Sequence, residues 1–516
     1  MVFKLEIDSK THHVSRLRSI LSQFIASTSS FLLLFDLGMA INFSTIMIPA
    51  LLNAKEGLSL DDSQASWFGS VSFLTQPVGA LISGPVVDYF GRKRANFLVN
   101  IPMLIAWIIM YFSWNIPSLF TANALLGISS GIMEAPINSY VGEISEPSIR
   151  GALCTSTQFF TCFGILIMYY LGIVVDWRTA ALICLVAPVS SMLMVVFAPE
   201  TPVWLLTKHR DEDALKSLCK LRGWTSEENV KEEFNELSTY TRKLEKCVIC
   251  TAQDIKRCEH PSMSWLTRRL LSFRYVMLCK ETLRPLTLVM FYFLFFVMSG
   301  LTPIRPNLVN VCGAFGMSQD GKHVVLMVGV ITFITALFMI GLIKILGKRK
   351  LAITALLGSA ISCLLLSIYA KRNLSDKVFS YNPATFPEET SVVPLVLMYF
   401  LTIFTGLGIP WVLLSEVFPF RSRATAQGIS AASNYVFSFL GSKTFINLET
   451  SIKLSGTFAT YAAFGFVGTI FLYFFLPETE GRTLQEIEAF YSGEFRIFAD
   501  DPLINVFKKK EQEDKK

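Results

Sequence analysis

Long apolar segments recur along the chain, and they restrict the possible fold more than any other feature of the sequence. Windows of about 20 residues without a charged side chain appear throughout, and a helix needs about that length to cross a bilayer core of about 30 Å. Hydrophobic residues make up 52% of the chain and charged residues 17%, whereas about a quarter of the residues in a soluble protein are charged. The sequence therefore predicts a protein that crosses a membrane many times.

Twelve of these segments are long enough to be membrane spans. They lie at about 22–52, 67–87, 95–113, 117–141, 152–175, 179–198, 285–312, 323–346, 351–370, 392–417, 425–447 and 456–476. We therefore predict an all-α membrane protein, with twelve transmembrane helices in two pseudo-symmetric six-helix bundles. The predicted bundles are 22–199 and 285–476. Between them, residues 200–284 are polar with helical character, and they predict a small cytoplasmic helical domain. The remaining residues, 1–21 and 477–516, are predicted to be a cytoplasmic N-terminus and tail.

Three short patterns occur once in each predicted bundle, in the same order. Gly91-Arg92-Lys93 returns as Gly347-Lys348-Arg349, Glu143 with Arg150 returns as Glu416 with Arg423, and Pro199-Glu200-Thr201 returns as Pro477-Glu478-Thr479. This order indicates a duplicated half. Six spans, a loop and six more spans is the arrangement of the major facilitator superfamily, in which the substrate is held near the bilayer midplane between the halves.

The basic residues cluster in loops beside the apolar segments. The formal net charge is +6, but this placement indicates membrane topology rather than nucleic-acid binding. We expect a monomer in the plasma membrane, with both termini and the 200–284 loop in the cytoplasm. The loop 371–390 carries basic residues and yet must lie outside. It contains the sequon Asn373-Leu374-Ser375, which predicts a glycosylated asparagine.

Longer motifs at the helix ends connect the chain with a known family. They are Asp88-x-x-Gly91-Arg92-Lys93, Tyr140-x-x-Glu143, Pro199-Glu-Thr-Pro202-x-Trp204, Pro410-Trp411 and Pro477-Glu-Thr-Glu-Gly481-Arg482. With them the chain resembles the sugar-porter family of the major facilitator superfamily over about 25–490. Met133-Glu134-Ala135-Pro136 and Lys443-Thr444-Phe445 resemble the insect facilitated trehalose transporter-like branch. The resemblance implies a facilitative, alternating-access transporter of a hexose or a disaccharide such as trehalose, with no enzymatic activity and no cofactor.

The resemblance also implies a cytoplasmic gate that holds the two halves together when that side is closed. Its residues would be Asp88, Gly91, Arg92, Glu143, Arg150, Glu416 and Arg423. Charges at helix ends cost little in the membrane and can pair, and pairs present in one conformation alone favour that conformation. The alternative is that these residues are topological anchors, because exposed ion pairs contribute little to stability.

A sugar site needs amide and hydroxyl partners with an aromatic face beside them. The resemblance implies five candidate substrate-binding residues, namely Gln158, Trp411, Asn434, Thr302 and Thr332. Gln158, Trp411 and Asn434 stand where the family has a glutamine, a tryptophan and an asparagine. Thr302 and Thr332 stand where it usually has asparagines. The alternative for Gln158 and Asn434 is an interhelical hydrogen bond.

The seventh span departs from the family pattern. Its stretch Phe296-Val297-Met298-Ser299-Gly300 lacks the two glutamines that the family carries there, which removes hydrogen-bonding groups from a sugar site. A carrier of a non-sugar solute and a non-transporting sugar sensor therefore stay as alternatives. A proton-coupled symporter is a third, because Asp36 and Glu134 lie at membrane depth. Cys247, Cys250, Cys258 and His260 form a group in a polar loop, but we expect no metal site there.

Overall fold

The computed structural model of the chain describes residues 16–54, 57–146, 149–244, 277–317, 321–374, 391–419, 422–480, 482, 486–487 and 490–491. Within these ranges the regular structure is helical, apart from one bridge between Leu52 and Leu60. The helices of the first six spans are Arg16–Leu51, Asp62–Phe90, Arg92–Phe112, Ile116–Ile132 with Glu134–Ile144, Arg150–Val174, and Trp177–Cys184 with Val186–Phe197. Three helices of the polar segment follow, at Pro202–Thr207, Asp211–Leu221 and Glu227–Leu244.

The second half repeats this plan. Its seventh span consists of Lys280–Val297, Leu301–Ile304, the 3-10 turn Arg305–Asn307 and Leu308–Ala314. The eighth is Gly321–Leu346, the ninth Lys348–Asn373, and the tenth Val392–Gly406 with Pro410–Glu416. The eleventh and twelfth lie within Arg423–Phe475, as two helices that meet at a kink at Lys453.

The number of spans depends on how bent helices are counted. Among the described residues, ten helices are long and apolar enough to cross a membrane, and the two parts of the seventh span, which meet at 52°, make an eleventh. The segment Arg423–Phe475 consists of two helices that meet at a kink, in the region where the sequence predicts the connection between the last two spans. Its backbone is non-helical at Lys453, where φ is 63°. Dividing the segment there gives the expected twelve.

Local sequence explains where several helices begin. The Asp61 carboxylate accepts a hydrogen bond from Gln64 N at 2.7 Å, and the Gln64 side chain accepts one from Asp61 N. This capping box satisfies backbone donors that the first turn of the second span would otherwise leave unpaired. At the ends of the second and eighth spans the chain reverses at Gly91 and Gly347, whose φ values of 88° and 77° favour glycine.

Small residues allow close packing within the first half. A Cβ atom added at Gly38 would collide with the backbone of Thr161, so the first and fifth spans approach closely. A Cβ at Gly79 or Gly131 would similarly collide with backbone between the second and fourth spans. Helices that meet in lipid gain little from the hydrophobic effect, so such small-residue contacts and their dispersion energy hold them together.

The two halves meet along two seams. Phe333 of the eighth span packs against Phe159 and Phe163 of the fifth, with ring centroids 5.0 and 5.7 Å apart. In the other seam, Ala80 of the second span is buried in a cluster with Ala431, Ala432 and Tyr435 of the eleventh. The midplane residues of both halves therefore come together between these seams.

Helices of the polar segment dock onto the first half. Arg222 donates to the Ile144 carbonyl at 3.2 Å and pairs with Glu146 at 3.5 Å and with Glu233 at 2.5 Å. The Ser22 hydroxyl donates to the Leu221 carbonyl at 2.7 Å. These contacts lie on the side of the bundles that carries Arg92 and Lys348, which we call the corner face. The other side is the opposite face.

Candidate functional site

The first charged corner is a compact arrangement of three chain segments. After Gly91 reverses the chain, the backbone N–H groups of Arg92 and Lys93 donate to the Glu200 carboxylate at 3.1 and 3.0 Å. The Arg92 guanidinium pairs with Glu143, with Nη2 at 2.8 Å and Nε at 2.9 Å from the same oxygen. Glu200 thus caps the third span at its positive end, and Arg92 ties that span to the fourth.

The second corner has the same geometry with a different cation. The N–H groups of Lys348 and Arg349 donate to the Glu478 carboxylate at 3.0 and 3.1 Å. The Lys348 ammonium lies 2.7 Å from Glu416 and 2.8 Å from Glu480. The duplication seen in the sequence is therefore also a duplication of contacts, with Lys348 in the place of Arg92.

The other predicted gate residues lie at the same face. Asp88 is exposed, and its carbonyl accepts from Trp204 Nε1 at 3.4 Å. Arg423 donates to the Phe418 carbonyl at 3.3 Å. Arg150 begins the fifth span, and its side chain lies outside what the structure describes. The pairs Arg92–Glu143 and Lys348–Glu416 each join helices of one half in this conformation.

Glu200 and Glu478 belong to the sequence motifs but are not among the predicted site residues. Lys348, which pairs with Glu416, is also absent from the predicted gate. The signal was present, because the repeated Pro-Glu-Thr triplets follow the sixth and twelfth spans. An acidic residue beside a basic helix start is the capping chemistry that those triplets supply.

Near the opposite face, polar and aromatic contacts join one half to the other. Thr45 donates to the Arg305 carbonyl at 2.9 Å. The Lys443 ammonium lies 3.1 Å from the Ser66 hydroxyl and 4.0 Å from the centroid of the Trp67 ring. A cation over an indole face is attracted by the ring quadrupole. These contacts hold the two halves together at this face.

Four of the five predicted substrate residues lie along the two seams. At one seam Gln158 is half-buried and donates to Cys162 Sγ at 3.6 Å, while Thr332 donates to the Val328 carbonyl of its own helix. At the other, the half-buried Trp411 packs against the Ala80 cluster, with its ring 6.2 Å from Tyr435. Asn434 is buried beside that tyrosine in the sequence. The structure thus separates the set into a Gln158 group and a Trp411 group.

Thr302 lies in the break of the seventh span, directly after Leu301. Gly300, with φ of 119°, and Ser299 form the bend, and the Cys363 thiol donates to the Ser299 carbonyl at 3.2 Å. Thr302 is half-buried there. The bend gives the span an irregular backbone near the middle of the bundle, where carriers of this architecture place their substrate sites.

Phe296 packs against the break of the tenth span. Its ring occupies the space that a side chain at position 408 would need, so Gly408 is the residue that fits there. Beside it, the backbone N–H of Ile409 donates to the Tyr292 hydroxyl at 3.2 Å. The seventh span therefore contributes an aromatic ring and a tyrosine hydroxyl to this region, instead of amide side chains.

Asp36 and Glu134 are the two acidic residues that the sequence places at membrane depth. Asp36 is fully buried in the first half and accepts a hydrogen bond from Trp107 Nε1 at 3.0 Å. Glu134 begins the second helix of the fourth span, and its side chain lies outside the described part. Asp36 is thus held between the first and third spans.

Two further expectations concern the loops. Asn373 is the last residue of the ninth span, and the Ser375 of its sequon lies outside the described residues. Cys247, Cys250, Cys258 and His260 also lie outside them. In the described part of the chain, no group of three or more His, Cys, Asp or Glu side chains has the arrangement of a metal site.

Residues 22–491 match the protein family described as Sugar (and other) transporter. The facilitated trehalose transporter Tret1 of Culex quinquefasciatus is 28% identical over 468 residues, which are 89% of this chain and 84% of the relative. Tret1 of Bombyx mori is 27% identical over 85% of this chain and 81% of the relative. The human solute carrier family 2, facilitated glucose transporter member 6, is 28% identical over 92% of both chains.

Solved structures show the same fold. The E. coli xylose transporter XylE in a partially occluded inward open conformation aligns with a TM-score of 0.68 and 17% identity, over 90% of this chain and all of that one. XylE bound to 6-bromo-6-deoxy-D-glucose aligns with a TM-score of 0.69 and 20% sequence identity, over 92% of this chain and 99% of that one. The predicted major facilitator fold is confirmed, and so is the expectation of a transporter rather than an enzyme. The chain is a multi-pass membrane protein that belongs to the sugar transporter family of the major facilitator superfamily.

Proposed function

We propose that this protein is a facilitative carrier that moves a neutral sugar, either a hexose or a disaccharide such as trehalose, across the plasma membrane by alternating access. The observation that carries the proposal is the repeated corner geometry, because Arg92 with Glu143 and Lys348 with Glu416 make each half a braced unit at the same face. Braced halves can rock as rigid bodies about a site between them. The sugar is suggested by the relatives, which are named as trehalose and glucose transporters.

Alternating access requires contacts that differ between two states. The contacts of Thr45 and Lys443 with the other half support a conformation that is closed at the opposite face. In the other state these contacts break and the corner face closes. We infer that Asp88, Gly91, Arg92, Glu143, Arg150, Glu416 and Arg423 then act as its gate, with charged side chains re-pairing across the halves. The contacts at the two faces therefore stabilise two different states, and substrate binding can shift the equilibrium between these states.

The proposed binding residues are Gln158, Trp411, Asn434, Thr302 and Thr332. The Trp411 ring offers a face on which a sugar ring can stack, and it borders the seam between the halves. Among the described residues, the amide of Gln158 makes one long contact, to the Cys162 thiol at 3.6 Å, so it can exchange that partner for a sugar hydroxyl. Because Phe296 fills the place of an amide, we expect weaker hydrogen bonding from the seventh span than a glutamine would give.

We infer passive rather than proton-coupled transport. Asp36 is engaged with Trp107 inside the first half, and the pair supports a structural role for this carboxyl. The corner face would be cytoplasmic with both termini, since Arg92, Lys93 and Lys348 lie there and cytoplasmic loops are rich in basic residues. Asn373 would then be outside and available for glycosylation. The carrier would work as a monomer, since each chain contains both halves.

Uptake of labelled glucose, trehalose and xylose into oocytes that express the chain tests this proposal, with and without an inward proton gradient. We expect saturable uptake that ignores the gradient and is lost in Gln158→Ala, whereas Lys344→Ala, at an exposed position, behaves like the wild type. Uptake that follows the gradient would replace the facilitator with a symporter. No uptake of any sugar by protein present at the surface would overturn the sugar proposal and favour a less polar solute, which the Phe296 ring suits.

A further inference from the structure

Gln76 of the second span is a buried amide beside the seam between the two halves. Its side chain is 1% exposed. Among the residues that the structure describes, no donor lies within hydrogen-bond reach of its Oε1 atom. An amide oxygen can accept two hydrogen bonds, and a buried polar atom without a partner is costly. Such an atom calls for a specific explanation.

The position of Gln76 along the helix places it at the seam between the halves. It lies four residues before Ala80, one helical turn away and on nearly the same face of the helix. Ala80 packs in the cluster of Ala431, Ala432 and Tyr435, against which Trp411 also packs. Gln76 therefore lies one helical turn from the cluster against which Trp411 packs.

Contacts between the second and eleventh spans show how far Gln76 lies from each face of the bundles. The second and eleventh spans run antiparallel, with Ser66 beside Lys443 at one end. Nearer the corner face, a Cβ atom added at Gly428 would lie 3.9 Å from the Ala80 carbonyl. Between these two contacts, Gln76 falls at the level of Asn434. An amide from the first half and an amide from the second therefore occupy the same layer.

Three other buried amide oxygens without a described partner occupy different positions. Asn307 ends the 3-10 turn of the seventh span, next to the contact of Thr45 with the Arg305 carbonyl near the opposite face. Asn96 and Asn100 belong to the third span, and Asn96 donates to Ser30 of the first. They lie inside the first half, where an interhelical role explains them. Gln76 differs because it lies one helical turn from Ala80, which packs against the eleventh span of the other half.

We propose that Gln76 is a substrate-binding residue, whose Oε1 accepts a hydrogen bond from a hydroxyl of the transported sugar on the layer of Trp411 and Asn434. This inference rests on the proposed function. It also explains how a site can hold a polyol although Phe296 stands where an amide would be. The seventh span lacks an amide at Phe296, and the amide of Gln76 on the second span, in the other half, supplies a hydrogen-bond acceptor instead.

Binding to purified protein in detergent tests this role. The measured quantity is the Kd for glucose and trehalose, read from the sugar-induced rise in Tm, for wild type, Gln76→Leu and Ser83→Ala. Ser83 is the matched control, because it is a buried residue of the same span whose hydroxyl donates to the Ala80 carbonyl. Losing one hydrogen bond should raise Kd about 2- to 13-fold in Gln76→Leu. The Tm without sugar should be unchanged or higher, because an unpaired polar atom is removed.

A panel of monodeoxyglucoses separates contact from a structural effect. Wild type should bind the analogue that lacks the hydroxyl bound by Gln76 more weakly than glucose. In Gln76→Leu this difference should disappear, while the differences between glucose and the other analogues stay. If Gln76→Leu keeps the wild-type Kd and the wild-type discrimination, the inference is overturned and the sugar proposal survives. If wild type binds neither glucose nor trehalose, the sugar proposal itself fails, and this inference fails with it.

Discussion

The contact of Lys443 with Trp67 predicts how strongly the opposite face is held closed. The ammonium lies 4.0 Å from the ring centroid and 3.1 Å from the Ser66 hydroxyl. A cation–π contact contributes about 0.5–2 kcal/mol, and a hydrogen bond from a charged donor about 1.5–3 kcal/mol. Because Lys443 is only half-buried, we take the sum at about 1–3 kcal/mol. Lys443→Met should then shift the equilibrium toward opening of this face by about 5- to 150-fold.

The shift can be read as a change in distance between two spin labels. Ser63 and Asn447 are exposed, close to the contact and on different halves, so cysteines at these positions can be labelled in a background without other exposed cysteines. Pulsed dipolar spectroscopy should show a larger long-distance population in Lys443→Met, and a similar one in Trp67→Leu. The double variant should add little, since both changes remove one contact. Lys344→Met, which changes an exposed lysine at the corner face, is the control. Identical distance distributions in wild type and Lys443→Met would refute the reasoning.

Three further changes test other parts of the structure. Glu200→Gln removes the carboxylate that caps the third span, and it should cost about 1–2 kcal/mol, seen as a lower Tm in detergent. Asp36→Asn keeps an oxygen for the Trp107 N–H and should leave sugar uptake and its indifference to a proton gradient unchanged. Asp176, between the fifth and sixth spans, accepts hydrogen bonds from the Thr179 side chain and from backbone N–H groups, and these lower its pKa. Its stabilisation is therefore complete above its unfolded pKa of about 3.9 and disappears as the pH falls through the lower folded value. Asp176→Asn, which still caps the helix, should flatten this acid part of the curve of Tm against pH.

The second corner supplies a matched comparison for Glu200→Gln. Glu478→Gln should lower Tm about as much as Glu200→Gln, because each carboxylate accepts hydrogen bonds from two consecutive backbone N–H groups at the start of a helix. A much smaller loss would show that the duplicated contacts are unequal in strength. A carrier that gains or loses gradient dependence in Asp36→Asn would contradict the structural role of that carboxyl. A Tm curve of Asp176→Asn that follows the wild type at acid pH would show that other carboxyls dominate there.

The fold could be predicted from the sequence because its strongest signals are long and repeated. Charge-free segments predict the approximate places of the spans, and the reversals at Gly91 and Gly347 mark equivalent corners. Helix ends were less predictable. The polar start of the first span, from Arg16, extends the helix beyond the apolar window that begins at 22, because that turn packs against the helices of the polar segment. The eleventh and twelfth spans are connected by a kink at Lys453 rather than by a longer loop.

The site was less accessible to sequence reasoning, since a single polar residue in an apolar run carries no periodic signal. Gln76 is one such residue, and its burial and lack of a described partner are properties of the folded chain. The contact of Lys443 with Ser66 joins residues 377 positions apart, and no local sequence pattern predicts it. Phe296 was recognised as a departure, but its packing against Gly408 depends on breaks in two spans that only the structure brings together.

The central claim is that the two halves alternate around a sugar without a driving ion. Entrance counterflow in proteoliposomes of the purified protein tests it most directly, because vesicles preloaded with unlabelled sugar are diluted into labelled sugar at equal pH on both sides. The account predicts transient accumulation of label above its outside concentration, driven only by exchange through a carrier that faces one side at a time. Label that never exceeds the equilibrium level, for glucose and trehalose alike, would contradict it.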